Sequence, residues 1–368
     1  MLIYILRVNG IDSPLGVDEQ QPRFSWQISQ VDRSGSGIPT HYQVWVANSE
    51  SGLAREEHLI WDSGVRPGSL IHVDYNGPEL TGNTRYWWKV RAWDTNGKYI
   101  ESDAAMWETG LFREDWTAEW IWRSDQVAPN EFAYFRKEFG LSKPMEHAKL
   151  YVSAHHVAKV YVNAQLLGGY GSPAPTHPWK RKYYLAYDVT ESLKTGTNVV
   201  AAVAHYLGGG GQNYVNGLPG FRMQLHVTYT DGSEALVATD PSWQTLLTIP
   251  HRQSTPYQQN RKISAIEDFD ARKYDEKWLL PDFSQESCEQ AVRANINKED
   301  WPMKWQEIPE GKIDEEIVPS RVLSDLDQGK EHDVQVFDTG KIVSGWPRIS
   351  IPGTGNAGCT IQMRYSED

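Results

Sequence analysis

The chain has 368 residues, a formal net charge of −12 at pH 7 and 39% hydrophobic residues. This length allows two or three domains with buried cores, and the acidic balance argues against nucleic acid as a partner, because nucleic-acid binding needs clustered Lys and Arg. No stretch approaches a membrane span of roughly 18 apolar residues, and no signal-peptide features precede the first strand-like segment, which predicts a cytoplasmic location and leaves secretion open.

Residues 1–112 contain short strand patterns separated by turn signals, at the spacing of an all-β sandwich. In the segment 86–93, apolar side chains fall on alternate residues: Trp88, Val90 and Ala92. This alternation predicts a strand with one core-facing side. The next segment, 113–123, holds Trp116, Trp120 and Trp122, and we expect these rings to pack at the junction with a second domain.

The most regular strand pattern lies between residues 148 and 207. Leu150, Val152 and Ala154 alternate with Tyr151 and Ser153, which predicts a half-buried strand. Turn residues then separate further strands of the same kind. The pattern is typical of a β-sandwich or jelly roll.

Two other local patterns in the second domain carry predictions. The basic run Lys180-Arg181-Lys182 is interpreted as a solvated strand edge, which positive charge protects from edge-to-edge pairing. Residues 284–295 form the only plausible helix, with Ser284 as N-cap and Glu286 in the first turn.

The motifs in this region resemble the non-catalytic N-terminal domain of bacterial α-L-rhamnosidases, the family-78 glycoside hydrolases. The matching segments are Tyr161-Val162-Asn163, Tyr183-Tyr184, Tyr187-Asp188-Val189-Thr190 and Gly196-Thr197-Asn198. The family usually has Asn-Gly where this chain has Asn163-Ala164. Since Ala disfavours the positive φ that a type I′ turn requires, we expect a different turn here.

The resemblance extends over nearly the whole chain. Residues 22–26 are similar to the opening of many α-L-rhamnosidases, and the first domain resembles a fibronectin type III domain. Residues 265–278 resemble a Gly-Glu-x-Tyr-Asp-Ala-Arg segment of the family, and Glu267, Asp270 and Arg272 are expected to form a charge-assisted network that ties this excursion to the sandwich.

The expected fold is therefore all-β, in three parts. Residues 1–112 form a fibronectin type III-like sandwich, and residues 113–304 form a jelly-roll, galactose-binding-like sandwich. Residues 305–368 form the start of a further β-sandwich, which in the family precedes the catalytic barrel. The chain stops before that barrel, so no catalytic residue is assigned.

The resemblance implies an intact enzyme that releases terminal L-rhamnose by inverting hydrolysis with two carboxylates, and this chain is expected to supply substrate-binding and scaffold domains. The alternative is a free-standing, non-catalytic carbohydrate-binding or adhesion module. An open reading frame that continues for several hundred codons would favour the first interpretation. The oligomeric state stays open.

The sequence predicts no cofactor-binding site. The G-x-G-x-x-G pattern at 353–358 is followed by a strand pattern rather than the helix that a dinucleotide site needs. His155-His156 lacks a third ligand at recognisable spacing, which favours a structural role. The resemblance implies a Ca²⁺ in some family members, without residues here to which it can be assigned.

Two loops are the candidate carbohydrate-binding site, with an L-rhamnose-containing glycan or glycoside as the expected ligand. Residues 172–179 form a Pro-rich loop that ends in the indole of Trp179, a flat surface on which a sugar ring can stack. Residues 208–217 form a glycine-rich loop with amides and one ring for hydroxyl recognition: Gln212, Asn213, Tyr214 and Asn216. Plain loop chemistry is the alternative. The jelly-roll order is expected to bring both loops to one end of the sandwich.

Overall fold

The computed structural model of the protein describes residues 2–29, 39–68, 71–169, 173–208, 215, 217–256, 265–297, 301–323, 335–350 and 358–364. The chain divides into two compact units, residues 1–310 and 311–368. The first unit holds two β-sandwiches, which confirms the all-β fold class. Within the described ranges, no helix is long and apolar enough to span a membrane.

The first sandwich is built from two antiparallel sheets, one ordered β1-β2-β6 and one ordered β4-β3-β7-β8, with β5 paired to β3 and β9 paired to β7. The strands are β1 (Leu2–Val8), β2 (Arg23–Ser29), β3 (His41–Ala47), β4 (Leu59–Asp62), β5 (Arg66–Pro67), β6 (His72–Asp74), β7 (Arg85–Trp93), β8 (Tyr99–Glu101) and β9 (Ala105–Glu108). A short helix, α1 (Glu50–Arg55), follows β3, and the Ser49 side chain caps it by accepting a hydrogen bond from Gly52 N. As the alternation predicted, Trp88, Val90 and Ala92 are fully buried.

The second sandwich also has two sheets. One is ordered β21-β10-β17-β12-β15-β22 with β18 paired to β17, and the other is ordered β14-β13-β16-β11-β19-β20. The strands are β10 (Ile121–Trp122), β11 (Glu131–Leu141), β12 (Met145–Ala154), β13 (Val157–Val162), β14 (Gln165–Leu167), β15 (Lys182–Asp188), β16 (Gly196–Tyr206), β17 (Phe221–Tyr229), β18 (Glu234–Ala238), β19 (Gln244–Leu246), β20 (Cys288–Gln290), β21 (Val292–Arg293) and β22 (Met303–Trp305).

The first sandwich packs against one face of the second, so strand β12 is buried on both sides. Leu150 and Val152 point into the core of the second sandwich, whereas Tyr151 joins the core of the first. Trp116, from the connection between the sandwiches, lies edge-on to Tyr151 and Tyr184, with ring centroids 6.3 and 5.3 Å apart. The junction is therefore a continuation of the hydrophobic core.

Trp120 and Trp122 do not share this position, in contrast to the expectation from sequence. Both rings lie in the core cluster of the second sandwich. The reason is strand β10, which joins the seven-stranded sheet through the pairing of Ile121 with Phe221 and carries its neighbours into that core.

A buried ion pair joins the two sandwiches. Glu108 at the end of β9 accepts a hydrogen bond from Lys149 Nζ on β12 at 2.6 Å, and both side chains are almost fully buried. Lys149 Nζ also donates to the carbonyl of Thr109, at 3.0 Å, and Arg85 reaches Glu108 from the first sandwich at 2.7 Å. Burial alone would raise the pKa of Glu108, but the charges of Lys149 and Arg85 hold it below its usual value.

The prediction of a helix at residues 284–295 is wrong. The segment forms a single 3₁₀ turn (Gln285–Ser287) followed by β20 and β21. Its residues instead complete both sheets of the second sandwich, because β20 pairs with β19 and β21 pairs with β10. Tertiary pairing here overrides a local helix signal.

The expectation for the turn at Asn163-Ala164 is also wrong. Val162 pairs directly with Gln165, and the two turn residues have φ of 48° and 68°, as a two-residue type I′ hairpin requires. The Asn163 side chain fixes this geometry, because its amide donates to Ser192 O at 2.8 Å and its carbonyl accepts from Val199 N at 3.0 Å. Ala164 therefore adopts a left-handed conformation that normally favours glycine.

The second unit contains a two-stranded antiparallel pair, β23 (Arg321–Leu323) and β24 (Val336–Asp338). Arg321 donates to the carboxylate of Asp338 across the pair, and Gly340 N donates to the same carboxylate at 2.7 Å. These contacts fix the register and the turn that follows β24.

Candidate functional site

The two candidate loops end at the same end of the second sandwich. On strand β12, Val152 pairs with Leu185 of β15, and Ala154 pairs with Phe221 of β17. The Pro-rich loop leads into β15 and the glycine-rich loop leads into β17, so both loops meet the sheet where β12 ends. Lys182, the first residue of β15, confirms the proximity by donating from Nζ to His155 O at 2.6 Å.

The Pro-rich loop presents Trp179 to solvent. About half of this side chain is exposed (52%), and its ring lies edge-on to the His177 ring with centroids 5.4 Å apart. A turn supports it, since Lys180 N and Arg181 N both donate to His177 O at 3.0 Å. An indole held in this way offers a free ring face to a ligand.

The opposite end of the Pro-rich loop is tied to the last strand of the sheet. Ala174 N donates to the side-chain carbonyl of Gln306 at 2.7 Å, and Gln306 N in turn donates to Tyr184 O at 2.9 Å. Because both contacts involve backbone atoms of the loop or of β15, the loop is anchored at its beginning as well as at Trp179.

The glycine-rich loop is anchored by two adjacent histidines. Nε2 of His155 and Nε2 of His156 both lie 3.2 Å from the carbonyl oxygen of Val215. A carbonyl only accepts, so each ring carries its proton on Nε2. The tautomer of His156 agrees with this, because its Nδ1 accepts from Leu207 N at 2.9 Å.

The pair of rings is also packed tightly. A Cβ atom at Gly217 would overlap the His155 ring, and Tyr206 donates from its hydroxyl to Gly217 O at 2.7 Å. Burial lowers the pKa of His155 to about 2 and that of His156 to about 4, so both rings are neutral at pH 7. Their observed contacts are those of a loop anchor.

The four polar and aromatic residues expected at the tip of this loop, Gln212, Asn213, Tyr214 and Asn216, lie outside the described residues. Their contact with a ligand stays a prediction. The described part of the site consists of Trp179, the turn that supports it and the two histidines that anchor the neighbouring loop.

The prediction that the basic run 180–182 forms a solvated strand edge is wrong for Lys182. Lys180 and Arg181 are exposed, but Lys182 is fully buried. Burial lowers the pKa of Lys182 to about 7. The strand is not at an edge, because β15 lies between β12 and β22, and this packing could not be inferred from three consecutive basic residues.

The excursion at 265–278 is tied to the sandwich by a different network from the one expected. His251 contacts Tyr134 Oη through Nδ1 at 2.8 Å and Glu267 through Nε2 at 3.1 Å. Arg272 instead forms a local pair with Asp270 on the surface, at 2.8 Å. Sequence reasoning missed His251, since an isolated histidine gives no signal of its partners.

The described residues contain no group of three or more His, Cys, Asp or Glu arranged to hold a metal ion. Three of the described carboxylates are each engaged by a basic group: Glu108 by Lys149, Glu267 by His251 and Asp270 by Arg272.

Two family models match most of the first unit. Residues 3–113 match the Rha78A-like, N-terminal immunoglobulin domain, and residues 143–308 match the alpha-L-rhamnosidase N-terminal domain. Immunoglobulin and fibronectin type III domains share the sandwich architecture expected for the first domain.

Curated relatives align with almost the entire chain. An alpha-L-rhamnosidase from Alteromonas sp. (strain LOR) is 29% identical over 384 residues, covering 97% of this chain. An alpha-L-rhamnosidase from Formosa agariphila is 26% identical and covers 94% of this chain. The chain spans about 39% of the length of the first relative and 38% of the second.

Solved structures show the same fold. The alpha-L-rhamnosidase from Dictyoglumus thermophilum superposes with a TM-score of 0.78 at 27% identity, covering 88% of this chain and 37% of that one. The alpha-L-rhamnosidase from Aspergillus terreus superposes with a TM-score of 0.73 at 23% identity, over 92% of this chain and 38% of that one, which is a likeness of fold.

Proposed function

Since the chain belongs with the N-terminal regions of the α-L-rhamnosidases, we propose that it supplies the substrate-binding and scaffold domains of a glycoside hydrolase that releases terminal L-rhamnose by inverting hydrolysis. The binding role falls on the end of the second sandwich that presents Trp179. The scaffold role falls on the interface between the two sandwiches, where Glu108 and Lys149 are buried together.

The exposed indole of Trp179 is the observation that carries the binding role. L-Rhamnose has an apolar C6 methyl group and an apolar ring face, which suit an indole, while its hydroxyl groups need paired donors and acceptors. The neighbouring loop supplies amide side chains for that purpose at Gln212, Asn213 and Asn216, and the ring of Tyr214 adds a second apolar surface.

The affinity of such a site is low. Few ligand atoms are buried on an exposed indole, and shallow sites keep their water. We expect a dissociation constant on the order of 0.1 to 1 mM, which corresponds to about 4 to 5.5 kcal/mol.

Calorimetric titration with L-rhamnose tests the proposal. The wild type is expected to bind in this range and the Trp179→Ala variant to bind at least about tenfold more weakly, since loss of the stacking face removes about 1.4 kcal/mol. Trp346→Ala is the matched control, because Trp346 is also largely exposed and lies in the second unit. Equal binding by wild type and Trp179→Ala, or no heat with the wild type, would show that the loops only connect strands.

A further inference from the structure

The outward face of the larger sheet in the first sandwich carries a row of aromatic rings. His41 on β3 is directly opposite Trp93 on β7, and Trp93 is directly opposite Tyr99 on β8. Directly opposed residues project from the same face of a sheet. Because neighbouring strands are about 4.8 Å apart, the three side chains form a row roughly 10 Å long, which is long enough for a short oligosaccharide.

This face is covered at one end and open at the other. Helix α1 covers the first end, where Leu53 packs with Trp45 and Ala47. At the open end, Tyr99 is 54% exposed, His41 is exposed and Trp93 is half-buried. The aromatic row therefore lies next to solvent within the described structure.

Arg91 holds the Tyr99 end of the row in place. Its guanidinium carbon lies 4.7 Å from the ring centres of both Trp45 and Tyr99, so it is stacked between them. Glu101 and Glu56 accept hydrogen bonds from the same guanidinium, at 2.6 and 3.0 Å. A stacked and ion-paired arginine fixes the rings before any ligand arrives, which lowers the entropic cost of binding.

A depression of about 400 Å³ adjoins the row, within the size range of small-ligand sites. Its apolar lining comes from Trp93 and Val65, and its polar lining comes from Thr40, His41, Asp94 and Thr95. Asp94 closes the β7–β8 turn through Oδ1 alone, which accepts from Asn96 N and Lys98 N at 2.9 Å each. The Thr40 hydroxyl is already engaged by the carbonyls of Trp93 and Asp94 and lies 3.0 Å from His41 Nδ1. A sugar ring would therefore meet chiefly the indole of Trp93 and the carboxylate of Asp94.

We propose that this surface is a second carbohydrate-binding site, which takes a neutral oligosaccharide across His41, Trp93 and Tyr99. A neutral ligand is favoured because the cations on this face, Lys89 and Arg91, are already paired with Glu56 and Glu101. This site is separate from the loops around Trp179, and the two proposed sites can be confirmed or refuted independently.

Saturation-transfer NMR and calorimetry with an L-rhamnose trisaccharide test this assignment on the full chain. The Trp179→Ala variant is expected to keep a measurable affinity, on the order of 1 mM. Adding Tyr99→Ala to it is expected to weaken that residual binding by at least about tenfold. Tyr4→Ala is the matched control, because Tyr4 is a partly exposed tyrosine on the other sheet of the same sandwich.

Three results would overturn the second site: no binding by the wild type, no residual binding by Trp179→Ala, or equal binding by Trp179→Ala and the double variant. The last result would favour another part of a longer protein as the occupant of this face. If Trp179→Ala binds as well as wild type while Tyr99→Ala alone loses binding, the second site stands and the loop site does not. Because Tyr99 is exposed, its replacement leaves the core intact, and an unchanged melting temperature verifies this.

Discussion

Replacing Glu108 with Gln is expected to weaken the junction between the two sandwiches severely. In the folded protein, Glu108 neutralises Lys149 at 2.6 Å, and both side chains are no more than 2% exposed. The substitution keeps the shape of the side chain and removes its charge. Lys149 is then left buried without a neutralising carboxylate, and the new amide oxygen and the backbone carbonyls of Thr109 and Leu15 are neutral acceptors for it.

The size of the effect follows from the burial of Lys149. Removing one partner of a buried ion pair lowers the free energy of unfolding by about 3 to 5 kcal/mol, because an uncompensated charge stays in a medium of low polarity. Arg85 adds little to the loss, since its side chain is 39% exposed and water can solvate it. We therefore expect a loss of about 3 kcal/mol or more in the free energy of unfolding at pH 7.

Urea unfolding, followed by tryptophan fluorescence, measures this loss, and the double variant Glu108→Gln/Lys149→Met is its control. Removing both charges is expected to restore most of the stability, since an apolar replacement of a buried pair is often neutral. A loss below about 1 kcal/mol in the single variant, or no recovery in the double variant, would refute the argument that the loss comes from an unpaired buried charge.

Two further predictions concern the second sandwich. Ala164→Gly is expected to raise the free energy of unfolding by about 0.5 to 1 kcal/mol, because relief of a left-handed alanine outweighs the extra entropy of glycine in the unfolded chain; a lower melting temperature would contradict the type I′ turn. Burial lowers the pKa of His156 to about 4 from 6.5, so the unfolded chain binds more protons and stability is expected to fall as the pH falls from about 6.5 to 4. His156→Gln should reduce this dependence in urea unfolding, since burial also lowers the pKa of His155, His205 and His226, which supply the rest. An unchanged slope would show that His156 is not responsible.

The strand alternation predicted the core side of β12 and β7 because the period of two is set by local geometry. It could not predict that Tyr151 and Lys149, on the other side of β12, are buried as well. That burial comes from the first sandwich, which is distant in sequence and contributes Glu108 and Thr109. Contacts between domains produce no periodic pattern in the sequence of either segment.

The two wrong predictions, the helix at 284–295 and the turn at Asn163-Ala164, also failed because contacts with distant parts of the chain decide the local structure. Residues 284–295 have a local preference for helix, but sheet pairing with β19 and β10 decides their conformation. Asn163-Ala164 lacks the usual glycine, yet the Asn163 side chain makes enough hydrogen bonds to impose the turn. Of the candidate site, sequence identified the exposed Trp179, whereas the anchoring of the neighbouring loop by His155 and His156 depends on three-dimensional contacts.

The central proposal is that this chain contributes L-rhamnose binding at Trp179 and no catalytic carboxylate pair. Inverting hydrolysis needs two carboxylates that face each other across a cleft, and Glu108, Glu267 and Asp270 are instead engaged by basic groups. Time-resolved NMR of the chain with an aryl α-L-rhamnoside observes both properties in one sample. Saturation transfer to the rhamnose methyl group with no release of the aryl alcohol above a protein-free blank is the predicted result. Release above the blank that is abolished by mutating a carboxylate of this chain would contradict the claim.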